Sequence, residues 1–189
     1  LSRKIFKAVI ESSGTSRLVR IWANFEEQNR KSWAETQVPL SKNLKVVRGK
    51  IKVDDALIPA IRVNLSGITH FLINKRYFNS IKNFRDVFEK LYRRKSLIIE
   101  ACGLIFFQRL SRDEFKINPI VYVRKTRTLV SETSCASGSV ALVIGLNLKS
   151  ASVTQPSGYS LFVRARFRKK YATVGGKVQE VLHNSMKTK

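Results

Sequence analysis

The chain contains 189 residues, of which 43% are hydrophobic and 26% are charged. This balance is typical of a globular protein and excludes a disordered or collagen-like chain, because enough apolar surface is available to offset the conformational entropy lost on folding. Two cysteines and two histidines, at spacings unlike those of zinc motifs, argue against a disulfide framework and against a metal site.

The charge of the chain is unusual. Lysine and arginine number 36 against 13 acidic residues, and the net charge of +23 is spread along the chain rather than confined to a tail. Such a surface attracts nucleic acid or another polyanion, but it is also compatible with a solvated basic surface of no special purpose. No secretory signal is visible at the start, and the longest apolar run, residues 140–148, is too short to cross a bilayer. We therefore expect a cytoplasmic protein without a membrane partner.

Residues 1–78 are predicted to form strands and turns. Segments rich in β-forming residues occur at 18–22, 33–39, 51–55 and 60–65. A bend at Gly67 then leads through His70 into a further apolar run. A strand that continues through a glycine-containing bend is a common position for a site residue.

The next segment is predicted to be helical, because its apolar residues recur at spacings of three and four. Asn79 or Ser80 is expected to cap the start of this helix, and the basic residues 93–95 suit the negative end of its dipole. The apolar residues are Ile81, Phe84, Val87, Phe88, Leu91 and Tyr92.

Strands are predicted again beyond the helix. Residues 104–107 and 120–123 are apolar throughout and are expected to be buried. Residues 161–167 partly alternate between apolar and basic side chains, which predicts a half-exposed strand. The basic side of this segment consists of Arg164, Arg166 and Arg168.

The segment around Cys135 is the most informative for function. A β-rich run at 128–130 leads into a loop of small residues and then into an apolar helix, so Cys135 is predicted at or just before a helix N-terminus. Free backbone N–H groups and the positive end of the dipole favour an anion there, and they should lower the pKa of a thiol. The amides of residues 136–139 could hold a substrate carboxylate. Alternatively, Cys135 is an inert buried thiol in a tight turn.

The sequence of this loop, Glu-Thr-Ser-Cys-Ala-Ser-Gly-Ser at 132–139, resembles the second catalytic loop of the diaminopimelate epimerase-like superfamily. That superfamily includes the proline racemases and the histidine racemases, and the histidine racemase branch is the most similar. The resemblance extends from about residue 8 to residue 182. Further segments that resemble the family, in the expected order, lie at 36–39, 66–71, 101–107, 119–124 and 154–158.

The resemblance implies an α+β fold of two similar halves, each a curled, mostly antiparallel sheet around a central helix, with the first half incomplete. Residues 1–78 would be the remainder of the first half, 79–96 a connecting helix, 97–182 the second half with the cysteine loop, and 183–189 a tail. It also implies an amino-acid racemase or epimerase that needs no cofactor, with a small amino acid as substrate. In this family two cysteines face each other across the substrate α-carbon, one accepting the α-proton and the other donating a proton to the opposite face.

Individual roles follow from the same resemblance. Cys135 matches one of the two bases, and Ala136, Ser137 and Gly138 match the loop that binds the carboxylate, with alanine where the family usually has glycine. That exchange is tolerable if φ is negative at residue 136.

Three further residues could act on the substrate or on the thiol. His70 matches a histidine that influences the proton affinity of the thiol, although it could instead be an ordinary core residue. Glu132 could orient the loop or pair with a substrate ammonium group. Arg127 matches a family arginine by its distance from Cys135 alone.

Departures from the family pattern bear on specificity and completeness. Ile68 and Gly103 stand where diaminopimelate epimerases have asparagines that contact the substrate, so diaminopimelate is not expected and another amino acid fits better. The resemblance to the histidine racemases implies histidine. The chain begins at Leu1 and has no cysteine in its first 30 residues, so we expect an N-terminal part with the first catalytic cysteine to be missing. Cys102 lies on a predicted strand and is interpreted as a core residue.

Two functions from different classes are therefore compared. The cysteine loop favours the racemase, as a fragment that lacks the first cysteine and retains one base. The high positive charge favours a catalytically inactive protein of the same fold that binds RNA or another polyanion, although no recognised nucleic-acid motif is found.

Overall fold

The computed structural model describes residues 2–12, 15–25, 31–40, 44–53, 55–93, 100–167 and 170–179. Within these ranges the chain forms twelve strands, two α-helices and one short 3₁₀ helix. In chain order the elements are β1 (Ser2–Ser12), β2 (Thr15–Phe25), β3 (Lys31–Pro39), β4 (Lys45–Val53), β5 (Ala56–Leu65), β6 (Ile68–Asn74), the 3₁₀ helix (Lys75–Ser80), α1 (Phe84–Tyr92), β7 (Ala101–Arg109), β8 (Glu114–Val123), β9 (Thr128–Ser131), α2 (Ala136–Gly145), β10 (Ser150–Thr154), β11 (Ser160–Arg166) and β12 (Tyr171–Gln179).

The described strands belong to a single mixed sheet. Its order is β1-β2-β3-β12-β11-β10-β8-β7-β6-β5-β4, and β9 pairs with β8 beside this path. The pairs β6–β7 and β8–β10 are parallel, and the remaining pairs are antiparallel. The predicted α+β class is thus confirmed as a mostly β structure with few helices.

The sheet is continuous across the segment that the sequence predicts to be a connecting helix. Strand β6 pairs with β7, which follows that segment, and β3 near the start of the chain pairs with β12 near its end. The predicted tail, residues 183–189, and Arg168 of the predicted basic face lie outside the described residues. Among the residues described, no helix combines the length and apolar character needed to cross a membrane.

Helix α2 lies at the centre of the larger of two cores. It is apolar on all sides, and every residue from Gly138 to Gly145 is buried. A helix of this composition needs neighbours around its whole circumference, and the strands provide them. One face of β5 to β8 and of β10 to β12 packs on the helix through side chains that include Val63, Leu72, Ile105, Phe115, Ile117, Val153, Val163 and Val174.

Helix α1 packs on the opposite face of the sheet. It buries Val87, Phe88, Leu91 and Tyr92, as the predicted spacing requires. The ring of Phe88 stacks on that of Tyr122 with 5.6 Å between the ring centroids, and the Tyr92 hydroxyl donates a hydrogen bond of 3.3 Å to the Tyr122 carbonyl. This second core therefore fixes β8 against α1.

The predicted start of helix α1 is wrong. Residues 75–80 form a 3₁₀ helix, and the α-helix begins at Phe84 with Asn83 as its N-cap. The Asn83 side chain accepts a hydrogen bond of 3.2 Å from the Asp86 amide, which satisfies one of the free amides of the first turn. Ile81 is buried in the core ahead of the helix, so its favourable spacing misplaced the boundary.

Candidate active site

The loop after β9 places Cys135 at the N-terminus of helix α2, as the sequence predicts. Cys135 is the N-cap residue, with extended backbone at φ −136° and ψ 97°. Its sulfur accepts a hydrogen bond of 3.3 Å from the Gly138 amide, in the position that a serine or aspartate oxygen usually takes. Among the described residues, the amides of Ala136 and Ser137 have no hydrogen-bond acceptor. Two donors are therefore open beside the thiol.

The proton affinity of Cys135 differs from the prediction. Its side chain is 4% exposed, and burial, together with a hydrogen bond to the Glu132 carboxylate and the negative charge of that group, raises the thiol pKa to about 12. The hydrogen bonds from Ser137 and from the Gly138 amide act in the opposite direction but are outweighed. The expected lowering of the pKa by the helix terminus is thus wrong, because desolvation dominates. Cys135 is a protonated thiol at neutral pH.

A hydroxyl group connects His70 to the thiol. His70 on β6 is fully buried, and its Nε2 lies 3.0 Å from the Ser137 hydroxyl oxygen. That oxygen lies 3.6 Å from the Cys135 sulfur. Burial lowers the pKa of His70 to about 3, so the imidazole is neutral. With the proton on Nε2, the ring donates to Ser137, which leaves the Ser137 hydroxyl hydrogen free to point at the sulfur.

Gly103 makes room for the His70 ring. The two residues are directly paired between the parallel strands β6 and β7. A Cβ atom on residue 103 would lie 2.3 Å from Nδ1 and 2.8 Å from Cε1 of His70. Any side chain at position 103 would therefore displace the imidazole of His70. The Nδ1 atom of His70 has no hydrogen-bond partner among the described residues.

Gln155 and Ser139 hold the backbone of Cys135. Gln155 was not predicted as a site residue, and Ser139 was predicted to contribute only its backbone amide. The Gln155 side-chain oxygen accepts a hydrogen bond of 2.9 Å from the Cys135 amide, and its nitrogen donates to the Ser139 hydroxyl at 2.9 Å. Ser139 in turn donates to the Cys135 carbonyl at 2.8 Å. From the sequence, the segment at 154–158 was interpreted only as one of several segments that resemble the family in the expected order. A glutamine flanked by a proline turn carries no local signal for a contact 20 residues away.

The remaining predicted residues separate into two groups. Ala136 and Gly138 lie in the first turn of α2 next to Cys135, and φ at Ala136 is not positive, so alanine is accommodated there. Arg127 lies in the turn between β8 and β9 with φ 53°, and its carbonyl accepts a hydrogen bond of 3.1 Å from Arg85 of helix α1. The structure therefore brings His70, Glu132 and residues 135–138 together but does not bring Arg127 to them.

The second cysteine does not face the first. Cys102 lies on β7, completely buried in the core beneath α1, whereas Cys135 belongs to the core around α2. Burial raises the pKa of the Cys102 thiol. Its interpretation as a core residue is confirmed. In the part of the chain that the structure describes, no three His, Cys, Asp or Glu side chains are grouped to hold a metal ion.

Comparison with known proteins identifies relatives of the chain. Residues 2–182 match the family described as "Histidine racemase CntK N-terminal domain". Two curated proteins named histidine racemase, from two strains of Fusobacterium nucleatum subsp. nucleatum, are each 29% identical to the chain over 160 residues. The aligned region covers 82% of this chain and 57% and 56% of the two relatives. The chain thus spans little more than half the length of the curated relatives it matches.

Proposed function

The chain belongs to the histidine racemase CntK N-terminal domain family, and on this premise we propose that it contributes Cys135 to a cofactor-independent racemase that acts on histidine. The predicted relationship to the racemases and epimerases is confirmed by the family match and by the relatives named histidine racemase. The substrate and the role of the thiol are the proposed part.

The observation that carries this proposal is the thiol at a helix N-terminus with two open amides beside it. The amides of Ala136 and Ser137 would hold the substrate carboxylate, because the helix dipole and the N–H groups favour an anion there. The α-carbon would then lie against the Cys135 sulfur. Removal of the α-proton builds negative charge onto the carboxylate, and donors fixed in advance stabilise that charge.

The high pKa of Cys135 supports a role as a proton donor. A thiol with a pKa of about 12 keeps its proton at neutral pH, so Cys135 donates a proton to the carbanion in one direction of the reaction. In the reverse direction its thiolate accepts the α-proton. The Ser137 hydroxyl, held by the neutral His70, supplies a hydrogen bond to the sulfur that favours the thiolate in that step.

Glu132 would couple substrate binding to the pKa of Cys135. Its carboxylate raises the pKa of Cys135. A substrate ammonium group beside Glu132 would neutralise that charge and so lower the thiol pKa on binding.

A reaction in both directions requires a second acid or base on the opposite face of the α-carbon. Cys102 is excluded from that role by its position in the other core. We infer that the second group comes from outside this chain, as the resemblance to a two-cysteine family implies. The same resemblance supports a diaminopimelate epimerase-like arrangement of two similar halves, with the site in the cleft between them.

The restriction at Gly103 supports a substrate other than diaminopimelate. An asparagine at this position would collide with the His70 ring, so the polar contact that it supplies in diaminopimelate epimerases has no counterpart here. Ile68, at the start of β6, cannot replace the other asparagine contact. Histidine, the substrate named for the curated relatives, is therefore the first compound to test.

Exchange of the α-proton with solvent tests the proposal. L-histidine and D-histidine are incubated in heavy water with the 189-residue chain, and with any longer product of the same gene, and deuterium at Cα is measured by mass spectrometry. We expect uptake that Cys135→Ser abolishes and that Cys102→Ala, which changes a thiol in the other core, retains. Inversion of configuration is expected only where the second group is present. Equal uptake by the wild type and Cys135→Ser would exclude Cys135 as the proton-transfer group.

A further inference from the structure

We propose that Gln155 is a positioning residue for Cys135, which fixes the backbone on both sides of the thiol and withdraws one amide from the anion site. This inference rests on the proposed role of Cys135 in proton transfer. The observation behind it is a closed ring of buried hydrogen bonds that starts and ends on Cys135.

The ring passes through three residues. The Cys135 amide donates to Gln155 Oε1 at 2.9 Å, Gln155 Nε2 donates to Ser139 Oγ at 2.9 Å, and Ser139 Oγ donates to the Cys135 carbonyl at 2.8 Å. Gln155 is 1% exposed and Ser139 is fully buried. Both polar groups of the Cys135 backbone are therefore held by side chains that water does not reach.

Only one orientation of the glutamine amide satisfies this ring. Gln155 Nε2 uses its second hydrogen on the Val153 carbonyl at 2.9 Å. If the amide were flipped, its nitrogen would face the Cys135 amide and its oxygen would face the Val153 carbonyl, and both contacts would be repulsive. The ring thus has a single arrangement, which is what the positioning of a reacting atom requires.

Gln155 is itself held by its own backbone. It lies at the base of the turn between β10 and β11, where its amide donates to the Tyr159 carbonyl at 2.8 Å and its carbonyl accepts from Gly158 at 2.9 Å. The same turn is tied to the cysteine loop, because the Ser157 amide donates to the Thr133 carbonyl at 3.0 Å. The turn and the loop therefore form one fixed unit.

The ring also determines which amides remain open. The Cys135 amide donates its hydrogen bond to Gln155, and the Gly138 amide donates to the Cys135 sulfur. Only the amides of Ala136 and Ser137 are therefore left for a carboxylate. The amides of Ala136 and Ser137 follow Cys135 in sequence and lie in the first turn of helix α2. A carboxylate on them would lie to one side of the sulfur, with the α-carbon next to it. Without Gln155, the Cys135 amide would compete for the carboxylate and move the α-carbon.

Thiol alkylation measures this positioning without any substrate. The wild type, Gln155→Met and Gln155→Glu are treated with iodoacetamide between pH 7 and pH 10, and the labelling of the Cys135 and Cys102 peptides is followed separately by mass spectrometry. Methionine keeps the length of the side chain but forms no ring. Glutamate keeps the acceptor for the Cys135 amide but loses both donors. Gln108→Met, at an exposed glutamine of β7, is the matched control.

We expect Gln155→Met to increase labelling of Cys135 at pH 8, because a released loop would expose the sulfur, whose burial is the largest cause of its raised pKa. Each pKa unit lost would raise the thiolate fraction about tenfold. Cys102 should stay unlabelled, and Gln108→Met should match the wild type. Gln155→Glu is expected to label more slowly than Gln155→Met, because its charge disfavours the thiolate. An unchanged Cys135 profile would overturn the proposal. Parallel labelling of both cysteines would also overturn it, since that result indicates a general loosening of the fold.

A milder variant keeps the test decisive if Gln155→Met does not fold. Ser139→Ala removes one member of the ring and leaves the bond between the Cys135 amide and Gln155 in place. We expect a smaller increase in Cys135 labelling in the same direction, and no increase would count against the ring. Because the readout needs no histidine, the positioning can be confirmed even where the proton-exchange assay fails, and the two results remain separate.

Discussion

The contact between Gly103 and His70 allows a quantitative test of how the site is packed. In Gly103→Ala the new Cβ would lie 2.3 Å from His70 Nδ1, about 1.1 Å short of the 3.4 Å at which ordinary contact begins. The imidazole must move by about that distance, because its neighbour is the backbone of β7. A movement of this size strains or breaks the bond of 3.0 Å between His70 and Ser137.

The cost follows from these two effects. Overpacking of a buried position typically destabilises a protein by about 1–3 kcal/mol, and the loss of a buried hydrogen bond adds about 1 kcal/mol. We therefore expect Gly103→Ala to lower the free energy of unfolding by about 2–4 kcal/mol. For a chain of this size that corresponds to a fall in Tm of roughly 5–15 °C.

Urea unfolding at pH 7 measures the effect, and two further variants identify its cause. Gly49→Ala is the matched control, because a Cβ at that exposed strand position meets nothing within 4 Å, and we expect it to be neutral or slightly stabilising. His70→Ala removes the ring that the new methyl group would strike. Gly103→Ala should then cost less than about 0.5 kcal/mol in the His70→Ala background. An equal cost in both backgrounds would refute the collision, as would a cost below 0.5 kcal/mol in the wild type.

Three other expectations concern single groups. Because burial lowers the pKa of His70 from 6.5 to about 3, the folded state resists protonation, so the wild type should lose stability relative to His70→Gln as the pH falls below 6.5; urea titrations at several pH values check this. Glu132→Gln should lower the pKa of Cys135, seen as faster labelling by iodoacetamide at pH 8, with an unchanged rate as the contrary result. Asn83→Ala should cost about 1 kcal/mol by loss of the helix cap, whereas Asn79→Ala should have no measurable effect in thermal melts; equal effects would contradict the assigned cap.

Local signals in the sequence predicted some features well. The small-residue loop followed by an apolar run was enough to place Cys135 at a helix N-terminus, because capping and helix composition depend on neighbouring residues. The buried strands β7 and β8 were predicted for the same reason. The start of α1 was misplaced because a buried residue before the helix happened to continue its periodicity.

Other features depend on contacts between distant segments and could not be derived from the sequence. The link from His70 to Ser137 joins residues 67 positions apart, and it exists because α2 lies against β6. Gln155 reaches Cys135 only through the turn between β10 and β11. The raised pKa of Cys135 follows from how deeply the loop is buried, which no local pattern reports. Arg127 was expected in the site from counting alone, but a hairpin turn directs it to helix α1.

The burial of helix α2 on all sides has a consequence for how the protein opens. An apolar helix released into water would expose its whole surface, so it cannot leave the surrounding strands without the loss of the larger core. The bonded amide hydrogens from Ser139 to Gly145 should therefore exchange with solvent only when this core unfolds. In the folded state, solvent reaches the helix at its start, where Ala136 is exposed next to Cys135.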